Sequence, residues 1–244
     1  MVDGGRTLDS AGKRAAFALF YAPLHFLIVS RVVRALQLAD VHPTSILDVG
    51  CGTGVAGAAW ALEAGGSARI LGLDRHPWAV EESRWTYRTL GLAGHARQAN
   101  LERPVPLSPH DAIVVAYTLN ELATPARAAL IEGLRKATSA GTTVLVVEPV
   151  ARAVAPWWDE VAAAAVAAGG RADQWRFPLD LPPLVQTFDT AAGLNHREVA
   201  VRSLVMRPTA PEIPTEPWEK TCKQTAGDTK PLQRHRARRS RSRK

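Results

Sequence analysis

Ile46-Leu47-Asp48-Val49-Gly50-Cys51-Gly52-Thr53-Gly54 decides the fold class of this chain. A short apolar strand runs straight into a turn with glycine at every second position. Val55, Ala56, Ala58, Ala59, Trp60 and Leu62 then continue as a helix. Alternate glycines let the backbone bend tightly with positive φ and let a ligand lie against bare peptide. The helix N-terminus behind them offers unpaired N–H groups and partial positive charge. Asp48 adds a carboxylate at the end of the strand. The pair suits a ligand bearing both an ammonium and a carboxylate, such as an amino acid attached to a nucleoside.

A second strand, Ala68-Arg69-Ile70-Leu71-Gly72-Leu73-Asp74, ends on another acid. An acidic residue about 20 positions past such glycines is where these folds bind ribose hydroxyls. Asp74 can also cap the helix that His76-Pro77-Trp78 opens. A third strand is expected over Ala96-Arg97-Gln98-Ala99-Asn100-Leu101.

The pattern Asp-x-Gly-x-Gly-x-Gly after a strand resembles the first motif of class I S-adenosylmethionine-dependent methyltransferases. Gly52-Thr53-Gly54-Val55-Ala56-Gly57 also fits the dinucleotide fingerprint G-x-G-x-x-G. Two features favour the methyl donor: the acid two positions before the first glycine, and a long helical segment ahead of the first strand. The resemblance implies S-adenosyl-L-methionine as cofactor. It implies a donor site built from Asp48, Gly50, Cys51, Gly52, Gly54, Asp74, Arg75, Asn100, Leu101 and Tyr117, with Asn100 set against the adenine amine.

Strands and helices alternate through the rest of the chain. Asp111-Ala112-Ile113-Val114-Val115-Ala116 is a fourth strand, and Thr142 to Glu148 a fifth, β-branched and apolar as a strand buried on both faces should be. Thr124-Pro125 caps a helix, an alanine-rich helix follows Pro156-Trp157-Trp158, and Glu198 to Met206 is the last strand. The expected fold is α/β: a Rossmann-like, doubly wound, mostly parallel seven-stranded sheet. Residues 1–40 form an N-terminal helical extension, 41–207 the methyltransferase-like domain and 208–244 a disordered basic tail.

At 244 residues the chain buries one substantial core. Its two cysteines, Cys51 and Cys222, form no disulfide framework and no metal-ligand cluster, so a reducing, cytoplasmic setting and no metal are expected. Cys51 reads as a small filler in the loop. The apolar run Ala15 to Ser30 is broken by Pro23 and His25 and is shorter than the roughly 18 residues a bilayer span needs. It reads as two helices packed over the ligand side, with no stable membrane span.

Substrate contacts are expected at the carboxyl ends of the fourth and fifth strands, where Tyr117, Asn120, Glu121 and Glu148 stand. Asn120 and Glu121 can equally cap the next helix. Adenine-amine methylation usually goes with Asp/Asn-Pro-Pro-aromatic after the fourth strand, but Tyr117-Thr118-Leu119 stands there. Methylation at pyrimidine C5 needs a nucleophilic cysteine, and neither cysteine is placed for it.

Tyr117-Thr118-Leu119-Asn120-Glu121-Leu122, Glu148-Pro149, the helix from Phe20 to Leu36 and Gly193-Leu194-Asn195-His196-Arg197-Glu198 resemble the methyltransferase-like proteins associated with the small ribosomal subunit. That resemblance spans residues 15–207 and implies an rRNA or ribosome-linked substrate, or a non-catalytic ribosome-assembly role that keeps the donor pocket. A small-molecule methyltransferase is the remaining alternative. The family's Gly-x-Gly-Pro-Gly loop and its metal-binding cysteines are absent here, so its metal does not carry over.

Residues 208–244 hold ten Lys/Arg and four Asp/Glu, which accounts for +6 of the net +7. Arg234, Arg236, Arg238, Arg239, Arg241, Arg243 and Lys244 close the chain, a run able to bind phosphate backbones, rRNA among them, without sequence preference.

Overall fold

The computed structural model describes residues 8–151 and 153–208. Helix α1 (Ala11–Ala16), a π-helical turn (Phe17–Tyr21) and α2 (Ala22–Ala35) follow one another without a break. The sequence reading of two helices is therefore corrected to one rod with a wide turn. The cause is Pro23, which has no N–H to continue the ladder. Just ahead of it, the Ala22 N–H reaches back to the Phe17 carbonyl, five residues away. Ser10 begins the rod by accepting the Lys13 N–H at 3.2 Å.

The α2 part of the rod belongs to the core, whereas α1 and the π-turn bury no residue fully. Val29, Val32 and Val33 are fully buried, and α2 packs along α3 (Val55–Glu63). Glu63 fastens the two helices, accepting from Ser30 Oγ and Arg34 Nε, each at 2.5 Å. By length and composition the Ala11–Ala35 run could cross a membrane, and 39% of its apolar window is buried in the protein.

Seven strands form one sheet in the order β3-β2-β1-β4-β5-β7-β6. β1 (Ser45–Val49), β2 (Arg69–Asp74), β3 (Gly94–Gln98), β4 (Ala112–Ala116) and β5 (Thr143–Pro149) run parallel. β7 (Glu198–Met206) is antiparallel to β5, and β6 (Arg171–Pro178) pairs with β7 at the edge. Leu47, Ile113, Val115, Val144 and Val146 face a core under α5 (Thr124–Ser139) and α6 (Trp158–Ala167). Ile46, Val114, Leu145 and Val147 face the core that α2 and α3 cover. Strand order reverses between β1 and β4, the switch point where such sheets bind ligands.

Two local expectations shift. The third strand ends at Gln98, so Asn100 and Leu101 fall in the turn beyond it. β6 carries Arg171, Asp173 and Arg176 and does not read as a strand in the sequence. It is an edge strand, where charged side chains discourage pairing with another chain. Arg171 pairs with Asp173 and Arg176 with Glu198, while Trp175 Nε1 donates inward to Ser203 Oγ at 2.7 Å. The tail, with its terminal Arg/Lys run and Cys222, lies outside the described residues.

Candidate active site

A cavity of about 210 Å³ opens at the carboxyl ends of β1, β2 and β4. Its floor is the glycine loop. Gly50, Gly52 and Gly54 have φ of 72°, 52° and 79°, left-handed values that side-chain-bearing residues rarely adopt. Each glycine answers a different crowding. A Cβ on Gly50 would run into the Thr118 side chain, and one on Gly54 would meet the Tyr87 ring at 2.8 Å. One on Gly52 would meet only Phe17 of the π-turn, at 3.1 Å, so here the bare peptide faces the cavity and the helix above it.

Behind the loop, Val55 and Ala56 bring the N-terminus of α3 to the cavity wall. Its partial positive charge and upward N–H groups suit a carboxylate. Thr53 Oγ1 is buried at the same wall with no hydrogen-bond partner among the described residues. An orphaned buried hydroxyl beside a helix N-terminus fits a polar ligand group that would satisfy it.

Asp74 stands where the sequence puts it, at the end of β2 and on the cavity wall. Its Oδ2 accepts the Gly52 N–H at 2.9 Å and its Oδ1 the His76 N–H at 2.8 Å. Burial raises its pKa, and these backbone bonds act against that. A carboxylate has about four lone-pair sites, so two remain for a vicinal diol. Asp74 is not the side-chain cap of α4 (Pro77–Thr89). That part falls to His76, whose Nδ1 accepts the Trp78 N–H at 3.2 Å.

Asp48 lies elsewhere than the sequence suggests. It is 1% exposed, does not line the cavity, and turns under α3 to accept the Gly57 N–H at 2.8 Å. The close approach requires glycine, since a Cβ at position 57 would lie 2.9 Å from Asp48 Oδ2. The same fact explains the third glycine of the dinucleotide-like pattern as packing between strand and helix. Burial pushes the Asp48 pKa up to about 7. Asp48 therefore supports the loop from below and offers no surface to a ligand's ammonium.

Cys51 lines the cavity but is buried, its Sγ 3.2 Å from Ser83 Oγ. Burial raises its thiol pKa well above the usual value, so it fills space and is no nucleophile. Arg75, Asn100, Leu101, Tyr117, Asn120 and Glu121 all line the cavity. Asn100 Oδ1 accepts the Glu102 N–H at 3.0 Å, closing a tight turn, with Leu101 buried beside it. Burial raises the pKa of Glu121, while Arg75 lowers it.

Glu148 does not reach the cavity. It is fully buried beneath it, and its Oε1 accepts the Leu119 N–H at 2.8 Å. Asn120, with its amide nitrogen turned inward, donates to Glu148 Oε2 at 3.1 Å and to the Tyr117 carbonyl at 3.0 Å. Burial raises Glu148 to about 8, against the pull of backbone N–H groups. Asn120 and Glu148 thus shape the turn after β4, and Asn120 does not cap the next helix, which has no side-chain cap.

The sequence reading missed three wall residues of the N-terminal rod: Leu8 just ahead of it, and Phe17 and His25 within it. Phe17 meets Trp78 edge-on, centroids 6.4 Å apart. His25 stacks on Tyr117 at 3.9 Å, the planes 12° apart. Tyr117 itself has a φ of 56°, and its N–H is tied to the Val147 carbonyl at 2.8 Å. The one available signal was an aromatic, histidine-bearing face on an otherwise aliphatic helix.

Residues 46–141 match a family described as a methyltransferase domain. That domain implies S-adenosyl-L-methionine as methyl donor. A search of curated proteins finds no match. Among solved structures, the plantazolicin methyltransferase BpumL in complex with S-adenosylhomocysteine is similar, with a TM-score of 0.56 and 12% identity over 84% of this chain and 94% of that one. Its complex with a pentazolic desmethylplantazolicin analogue gives a TM-score of 0.56 and 13% identity over 84% and 95%. A protein of Nostoc punctiforme provisionally named an O-methyltransferase gives a TM-score of 0.52 and 16% identity over 78% and 58%. At these identities the likeness is one of fold, a Rossmann-like methyltransferase sheet flanked by helices.

Proposed function

We propose that this S-adenosylmethionine-dependent methyltransferase acts on a small molecule. The observation that carries the reading is the partial cover that the chain's own N-terminal segment lays over the cavity. Leu8, Phe17 and His25 stand over the Gly52 side of a cavity of about 210 Å³. A partly covered cavity suits a compact acceptor better than a folded nucleic acid. The solved structure of similar fold with a plantazolicin analogue supports this acceptor class.

When bound, S-adenosylmethionine supplies an electrophilic methyl group on a sulfonium. In our reading the residues present fit it. The bare Gly52 peptide and the α3 N-terminus at Val55 and Ala56 take its amino-acid end, with Thr53 Oγ1 as a further partner. Asp74 takes the ribose diol, and the Asn100-Leu101 turn borders the adenine. Methyl transfer is an in-line displacement, so holding donor and acceptor in register does most of the work.

A second reading has one feature in its favour. The Arg/Lys run of residues 234–244 suits RNA phosphates, which keeps rRNA or the small ribosomal subunit as a partner. Residues 1–207 carry only +1, which gives the folded part little attraction for RNA. The methyltransferase-domain match and the similar structures described above bring no ribosomal link.

Calorimetry with S-adenosylhomocysteine tests the donor site, with Gly52→Val as the blocked control. Mass spectrometry of small metabolites and of rRNA nucleosides from cells with and without the protein then separates the two acceptor classes. A lost methyl group confined to rRNA would overturn the small-molecule reading.

A further inference from the structure

Two imidazoles line the donor cavity. His76 spends its Nδ1 on the Trp78 N–H. His25 has no hydrogen-bond partner among the described residues, although burial strips water from it and lowers its pKa to about 4. Its ring is held by contacts alone: flat on Tyr117, edge-on to Phe17 at 6.3 Å, and tilted against Tyr21 at 6.1 Å.

The surface behind His25 is maintained against strain. A left-handed backbone at a residue such as Tyr117 costs about 1–3 kcal/mol and persists only when its surroundings enforce it. Here the Val147 carbonyl, the Asn120 amide and, through Asn120, buried Glu148 enforce it. A chain of contacts runs from the buried Glu148 carboxylate of β5 through Asn120 to the backbone of Tyr117, whose ring backs His25. Such strain gathers where a side chain must be aimed. Tyr117, Phe17 and His25 leave a slot with aromatic walls.

We propose that His25 accepts the proton of an aromatic hydroxyl held in this slot as the methyl acceptor; the proposal rests on the methyltransferase reading above. A lone pair on the acceptor oxygen forms the new C–O bond to the donor methyl carbon. The C–S bond breaks and its electron pair returns to sulfur, leaving S-adenosylhomocysteine. The O–H bonding pair stays on oxygen while the proton passes to a ring nitrogen of His25, which later yields it to water.

A hydroxyl needs such a base and an amine does not. A neutral amine attacks through a free lone pair and can shed its proton afterwards. A hydroxyl oxygen that kept its proton while gaining a methyl group would become a strongly acidic oxonium. The transfer is therefore downhill even to a weak base, provided the base is unprotonated and in reach. Burial keeps His25 unprotonated, and no charged group offsets the effect. The phenols of Tyr21 and Tyr117 face its ring, while Asp74, Arg75, Glu102 and Glu121 line the remainder of the cavity. Glu121, the other base on the acceptor side, stands under the influence of Arg75 and Asp74.

The test uses the full chain, labelled with ¹⁵N, saturated with S-adenosylhomocysteine and titrated with phenol. The expected result is saturable binding in which one ring nitrogen of His25 shifts upfield by several ppm. Anisole, which has no hydroxyl, should leave that nitrogen unmoved. His25→Phe, which keeps a ring against Tyr117, should weaken phenol binding by about tenfold, the equivalent of one lost hydrogen bond. If that variant does not fold, the wild-type nitrogen shift decides alone. Absence of phenol binding, or binding that leaves His25 unmoved, overturns the proposal while the donor site stands. Failure of the wild type to bind S-adenosylhomocysteine overturns the donor assignment itself.

Discussion

Asp74 Oδ2 accepts the Gly52 N–H at 2.9 Å, so the carboxylate at the end of β2 holds the middle of the glycine loop. One side chain thereby fixes the floor of the cavity and presents lone pairs to it. Replacing Asp74 with Ala removes both functions together. Hydrogen bonds to charged groups contribute about 1.5–3 kcal/mol each, so S-adenosylhomocysteine affinity should fall by at least about tenfold, measured by calorimetry. Unchanged affinity in Asp74→Ala would remove Asp74 from the donor site.

The glycine loop and Asp74 were legible in the sequence because their signals are local. A turn announces itself by glycine spacing, and a strand end by an acid after an apolar run. Asp48 was misplaced because its direction depends on the missing side chain of Gly57, a contact across a strand–helix interface. The pairing of His25 with Tyr117 joins two segments distant in sequence, and no periodicity encodes it. The α1–α2 rod was cut in two because Pro23 reads as a breaker, whereas the π-turn absorbs it. β6 was missed because an edge strand with alternating charges has no apolar run to reveal it.

Buried Glu148 gives stability a pH dependence of defined sign. Its folded pKa, raised to about 8, lies above the unfolded value. The folded state therefore holds the extra proton between those values, and stability falls as pH rises through them. Asp48, raised to about 7, acts in the same direction over a lower range, and Asp74 and Glu121, also raised, share that sign. His25, lowered to about 4, acts oppositely, adding stability as pH rises from there to its ordinary value of 6.5. Above pH 7 the slope should therefore be mainly that of Glu148, roughly 1 kcal/mol lost between pH 7 and 8. Denaturant melts at those two pH values should show this loss in the wild type and a flatter response in Glu148→Gln. Equal slopes in both proteins would place the titration elsewhere.

The N-terminal rod should behave as core and not as a removable lid. Ile28 is 2% exposed in the cluster that joins α2 and α3. Truncating a buried Ile to Ala typically costs about 2–5 kcal/mol. Ile28→Ala should lower unfolding free energy by that amount in urea titrations and weaken donor binding only in proportion to the fraction unfolded. A loss under 1 kcal/mol would mean that the rod docks loosely and that the cavity roof opens.

The C-terminal run separates the two partner classes. Seven Lys/Arg lie within residues 234–244. If all of them pair with single-stranded RNA phosphates, the log–log salt slope of binding approaches about −5, at roughly −0.7 per phosphate. Deleting residues 208–244 should then abolish most RNA affinity and most of that slope, because residues 1–207 carry a net charge of only +1. The deletion should leave S-adenosylhomocysteine binding intact, since the donor cavity is built from residues 8–122. Filter binding across a salt series, with calorimetry on the same two proteins, reads both quantities. Full RNA affinity in the shortened chain would move recognition into the folded domain and bring the RNA acceptor back to the front. RNA affinity absent from both forms would leave the small molecule as the remaining acceptor.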